Sequence, residues 1–159
     1  MKKEAIGYFT ARITQASRSE LVVILYEMTL VQIEEAEKSF AENNIIDFHK
    51  ELKGAQKSVN ELIVALDYKY KISYDLLSLY LYTNKQIITA IIKQNPLPLK
   101  SAQETLNKLL IGFKEVSRAD KNGPMMRNTQ QLYAGLTYGR GTLNETFIDP
   151  ADKNRGFIA

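Results

Sequence analysis

Cysteine is absent from the chain, so no disulfide, thiolate nucleophile or cysteine-ligated metal can enter its chemistry. Histidine occurs once, as His49. One imidazole cannot make a zinc site, which takes several His or Cys ligands. No Glu-x-x-His pair is present, whereas a di-iron carboxylate bundle needs two. No run of about 18 apolar residues occurs, so no segment is expected to span a membrane. The opening MKKEAIGYF holds two lysines but no apolar stretch long enough for a signal peptide, and the expected location is cytoplasmic. Charge of one sign is also missing. The 21 Lys and Arg stand against 18 Asp and Glu, for a net charge of +3, and no dense basic run marks a nucleic-acid surface. Gly139 and Gly141 lack the strand and helix context of a phosphate loop. The expectations are therefore no metal, no cofactor, no nucleic acid, no membrane insertion and no catalytic site. Ser17 and Ser101 read as helix caps rather than nucleophiles, and His49 reads as a solvated surface residue.

What the chain does have is helix with more apolar surface than a single seam needs. The stretch SRSELVVILYEMTL, residues 17–30, organises it. Ser17 followed three residues on by Glu20 is a capping box and predicts a helix start. Leu21, Val22, Val23, Ile24, Leu25, Tyr26, Met28, Leu30, Val31 and Ile33 then wrap more than one face. A helix apolar almost all round must be covered almost all round. This first long helix is expected to run to Glu42, with Asn43 and Asn44 ending it. Before it, residues 1–16 form a mixed arm that can dock as a short helix through Ile6, Tyr8, Phe9 and Ile13.

A second helix is expected from Asp47, as N-cap, to about Tyr68–Lys71. Its stripe of Phe48, Leu52, Ala55, Val59, Leu62 and Leu66 is spaced 4, 3, 4, 3 and 4, a heptad-like seam. Lys50, Lys53, Lys57 and Glu61 take the opposite side. A third helix opens at Ser73 with Asp75 in its first turn and stops at Asn95–Pro96. Like the first, it carries excess apolar surface: Leu76, Leu77, Tyr80, Leu81, Ile87, Ile88, Ile91 and Ile92. A fourth starts at a Ser101–Glu104 capping box, runs on Ala102, Leu106, Leu109, Phe113 and Val116, and ends at DKNGP. The segment 121–159 differs in kind, holding five of the eight glycines. It is a C-terminal tail that packs along the bundle, stays mobile, forms a second binding element, or plugs an apolar groove until a partner displaces it. The fold class is all-α: an antiparallel four-helix bundle spanning 1–120, with a helical N-terminal arm and a C-terminal extension. The tyrosines sit beside apolar stripes. Tyr8 and Tyr26 fit either core filling or a groove wall; Tyr70, Tyr74, Tyr80 and Tyr82 fit core filling.

These residues also resemble a known family. Tyr8, Ile13, TQAS at 14–17 and ELVVILYE at 20–27 resemble the N-terminal signature of the flagellin-specific export chaperones, the FliS family. NELIVALD at 60–67 resembles the end of that family's second helix, and LLSLYLYTNKQI at 76–87 resembles its third. Phe113 stands where the family often has tryptophan. Arg18 replaces the usual proline after the capping serine, and Met28 the usual glycine after the tyrosine–acid pair. The resemblance covers about residues 6–119. It implies a cytoplasmic bundle that binds the disordered C-terminal region of flagellin in apolar grooves, prevents early polymerisation, and presents the client to the flagellar export apparatus. It also implies partner-binding residues at Tyr8, Ile13, Leu25 and Tyr26, with Leu21 and Leu77 as groove candidates, in a monomer or weak homodimer. The competing expectation is a homo-oligomeric structural bundle without a flagellin client, whose spare faces pair with a second copy.

Overall fold

The computed structural model describes residues 1 and 3–125. Five helices follow in order: α1 (Lys3–Gln15), α2 (Arg18–Ala41), α3 (Ile45–Val64), α4 (Ile72–Lys93) and α5 (Leu99–Ala119). No strand occurs among the described residues. The tail reading, from residue 126 on, lies outside them.

Local chemistry sets the boundaries. At the start of α2 the Glu20 N–H donates to Ser17 Oγ at 3.3 Å and the Ser17 N–H to Glu20 Oε2 at 2.8 Å, a complete capping box. At its end Asn43 takes φ 59°. The Asn43 N–H reaches the Phe40 carbonyl and the Asn44 N–H the Ser39 carbonyl, the paired bonds of a Schellman close. Asn44 then serves twice, because its side chain accepts from the Asp47 N–H at 3.1 Å as the N-cap of α3. The expected cap at Asp47 is thus displaced by three residues; Asp47 sits in the first turn, where its carboxylate meets Asn44 Nδ2.

Two other expected starts also move upstream. α5 begins at Leu99 on Pro98, and no Ser101–Glu104 capping box forms; Ser101 donates instead to the Pro98 carbonyl. Proline has no N–H to leave unpaired at a helix start, and the earlier start brings Leu99 fully into the core. α4 begins at Ile72, and Ser73 is no cap: its hydroxyl donates to the Asp67 carbonyl at 2.6 Å. α3 also ends earlier than expected, at Val64.

α2, α3, α4 and α5 close a ring in which each packs on its chain neighbour and α5 returns to α2; α1 packs on α2. This is the expected four-helix bundle with its arm. The core takes Phe48, Leu52, Ala55, Val59 and Leu62 from α3, and Leu99, Ala102, Leu106 and Leu110 from α5. Val116, expected on the α5 stripe, is exposed instead, since the inward line follows Leu106 to Leu110. His49 is not solvated as expected. It follows Phe48 on the flank of the buried stripe, its ring 5.7 Å from the Phe48 ring, and its Nε2 is buried without a partner.

Helices diagonal to one another in such a ring have no backbone contact, so only long side chains can join them. Tyr26 on α2 and Tyr80 on α4 do so: their hydroxyls hydrogen-bond at the centre, and Tyr26 also lies 5.4 Å from the Phe113 ring of α5. Burial, then the neighbouring phenol, pushes the Tyr26 pKa up, so the pair stays neutral. Tyr26→Phe or Tyr80→Phe alone leaves one buried hydroxyl unpaired and should cost about 1–3 kcal/mol. The double substitution removes both polar groups and should cost less than the sum of the two. A urea double-mutant cycle measures this; simple additivity would show that the hydroxyls do not depend on each other.

Candidate functional site

α2 and α4 were both expected to carry surplus apolar surface, and the two dispose of it differently. On α2 no large apolar side chain is exposed among the described residues. Its inner face enters the main core, and its outer face is roofed by α1. Phe9, Ala16 and Ile24 form a second buried cluster, flanked by Met1, Ala5, Ile13, Leu21, Met28 and Val31. The arm is thus a cover laid on the central helix.

The cover is held at a few points. The Met125 N–H donates to the Ala16 carbonyl at 3.0 Å. The Met1 ammonium pairs with Glu51 on α3. Glu27 is a further anchor: one carboxylate oxygen accepts from Arg12 on the arm, and the other lies 2.9 Å from Lys114 Nζ on α5. Burial works against the Glu27 charge, but Lys114 and Arg12 outweigh it and hold the carboxyl below its ordinary value. A depressed folded-state pKa stabilises above the ordinary carboxylate range and is lost as pH falls through the lower value. Arg12 also sits 5.2 Å over the Tyr8 ring and donates to its hydroxyl at 3.1 Å. The seal is incomplete. A cleft of about 220 Å³ opens beside Arg12, Gln15, Ala16, Glu20 and Ile24, and another of about 250 Å³ lies between Arg12, Glu27, Lys114 and Arg118.

Among the described residues α4 has no such cover. Its inward line of Ser73, Tyr80, Thr83, Ile87 and Ala90 is buried. A second line, Tyr74, Leu77, Leu81, Ile88 and Ile92, is spaced 3, 4, 7 and 4, the repeat of a helix–helix seam. Leu77 is half-buried, while Tyr74 (57%), Leu81 (53%), Ile88 (37%) and Ile92 (76%) are exposed. The seam adjoins α3, because Asn84 Nδ2 donates to Asn60 Oδ1 at 3.2 Å. Tyr70, Tyr74 and Tyr82, expected in the core, are all exposed; among the described residues no helix stands opposite them to complete a core.

The six anticipated binding residues fall on both surfaces and in the core. Ile13 and Leu21 meet under the arm. Tyr8 stands on the arm's exposed side. Leu25 is half-buried against the main core, and Tyr26 is fully enclosed. Leu77 lies on the α4 seam, on a helix that α1 does not touch. Sequence reasoning missed Arg12, Glu27 and Lys114, although the one charge in the apolar run from Leu21 to Ile33 was a visible sign. It also missed Tyr74 as a seam member, which the second heptad spacing in α4 could have shown. Among the described residues, no cluster of His, Cys, Asp or Glu could hold a metal, and no helix is long and apolar enough to cross a membrane.

A family-wide sequence profile described as flagellar protein FliS matches residues 1–120. No curated protein gives a match to the chain.

Proposed function

This chain belongs to the FliS family of flagellar proteins, and from that premise we propose that it is a cytoplasmic export chaperone for flagellin. It binds the disordered C-terminal region of flagellin, keeps it from polymerising, and releases it to the flagellar export apparatus. The observation that carries this reading is the uncovered seam on α4. A row of apolar side chains at helix-pairing spacing stands in water, and an amphipathic helix laid beside it is the partner that such a row fits. The second seat is the outer face of α2, occupied in the free protein by α1 and opened when the client displaces it.

A flagellin end is apolar on one face once helical, so free ends find each other. The two seats offer a substitute surface. Coupled folding and binding of this kind buries roughly 1,000–3,000 Å², against an ordering cost of about 1–2 kcal/mol for each client residue. The two terms largely offset, so the complex is specific and still releasable without a nucleotide. Of the anticipated residues, Ile13 and Leu21 act at the arm's seat and Leu77 at the seam. Tyr8 belongs to the moving arm, and Leu25 and Tyr26 shape the groove from beneath.

The test is co-expression with a flagellin C-terminal fragment followed by gel filtration. A 1:1 complex is expected. A stable self-dimer that ignores the fragment would instead support the homo-oligomeric bundle.

A further inference from the structure

The arm shows what its seat accepts. Its inward face presents Ala5, Phe9, Ile13 and Ala16 to α2, with Phe9 only 4% exposed. One turn beyond Phe9, on the side toward α5, Arg12 enters a cleft bordered by Glu20, Glu27, Lys114 and Arg118. Glu20 is already engaged by the Ser17 N–H in the capping box. Glu27 is the only acid in that cleft paired with the arm, and it draws on Arg12 and Lys114 together. When α1 leaves, one oxygen of Glu27 loses its donor while Lys114 keeps the other.

We propose that Glu27 selects the helix that takes the arm's seat, by requiring a cation one turn beyond a bulky apolar residue, as Arg12 stands beyond Phe9. The proposal rests on the chaperone reading and deepens it by stating which client helix the α2 seat admits. The occupant is a client segment with a large apolar residue at one position and Arg or Lys three positions later. Charge complementarity and the arm's own pattern both specify it. A client helix with an acid at that position would face Glu27 directly and be rejected; a neutral one would leave the half-buried carboxylate short of a donor. The apolar stripe supplies most of the affinity, and Glu27 adds a smaller share while setting register and identity.

The test must separate two effects of Glu27, since neutralising it also frees the arm. Arg12→Gln in the full chain removes the arm's claim on Glu27 without touching a client contact, and should tighten binding of a flagellin C-terminal fragment. Glu27→Gln added to Arg12→Gln then reads the client contact alone, with an expected loss of about tenfold in affinity, a difference of about 1.4 kcal/mol. One basic residue of the fragment, replaced by Gln, should cause the same loss, and its effect should vanish in the chain that lacks Glu27. Titration by fluorescence anisotropy gives all of these constants. Binding that persists unchanged on adding Glu27→Gln overturns the selector and leaves the chaperone reading intact. Failure of the fragment to bind any form overturns both. A dimer of the Arg12→Gln chain that the fragment cannot dissolve assigns the seat to a second copy's arm and overturns the selector.

Discussion

Deleting residues 1–16 is expected to raise the fluorescence of a hydrophobic dye several-fold and to tighten binding of a flagellin C-terminal fragment by about tenfold. The deletion uncovers Ile24, with Leu21, Met28 and Val31 beside it, on a helix that otherwise shows no exposed large apolar side chain. A competitor tethered in the same chain lowers apparent affinity by the fraction of time that it leaves its seat open. A tenfold gain corresponds to an arm that is closed about nine-tenths of the time. The hold rests on one large buried side chain, Phe9, and two ion pairs: the Met1 ammonium on Glu51 of α3, and Arg12–Glu27, with side chains 32% and 21% exposed, a degree of exposure at which a pair contributes little. Phe9→Ala gives a check that keeps the chain intact. Its stability loss should fall below the 3–5 kcal/mol usual for a buried Phe, because local release of the arm limits what can be lost. Gly7→Ala should act in the opposite sense. Nothing lies within 4 Å of a Cβ there, and replacing a mid-helix glycine gains about 0.8–1.0 kcal/mol, so the arm holds harder and client binding weakens about fourfold. Unchanged dye signal and unchanged affinity on deletion would remove the arm from the mechanism.

Much of the bundle was legible in the sequence because its signals are local. The Ser17–Glu20 box, the left-handed Asn43 and the heptad seam of α3 from Phe48 to Leu62 are each settled within a few residues, and each stands where the spacing placed it; only Leu66, the seam's last expected member, falls past the helix end. The errors came where tertiary packing chose among local options. Ser101 and Ser73 look like caps, but both hydroxyls turn back to carbonyls because burying Leu99, and docking Ser73 on Asp67, favour earlier starts. The excess of apolar residues on α2 and α4 was readable as a total. Its division was not, since no count of residues tells that α1 roofs one helix while no described helix roofs the outer face of the other. Glu27 shows the same limit. Its partners lie 15 residues upstream on α1 and far along the chain on α5, and only the fold brings Arg12 and Lys114 to one carboxylate.

Replacing Leu81 and Ile92 together with lysine is expected to weaken flagellin binding by about a hundredfold, or about 2.7 kcal/mol, while changing folding stability by no more than about 0.5 kcal/mol at each site. Both side chains are more than half exposed, so the fold does not depend on them. An ammonium placed there sits comfortably in water but must be stripped of it when an apolar helix lies against the seam. The neighbouring positions supply the contrast. Ile87, one residue before Ile88, is fully buried, and Ile87→Ala should cost about 2–5 kcal/mol of stability with no selective effect on the client at temperatures where the variant stays folded. Adjacent residues on one helix therefore serve different purposes, the inward line folding and the outward line binding. Urea denaturation and fragment titration, run on the same proteins, separate the two. Wild-type affinity in the Leu81→Lys/Ile92→Lys chain would mean that the client passes the seam by. If those same substitutions dissolved a dimer instead, the open face of α4 would belong to a second copy, and the resemblance between a helix-pairing row and a client groove would be coincidental.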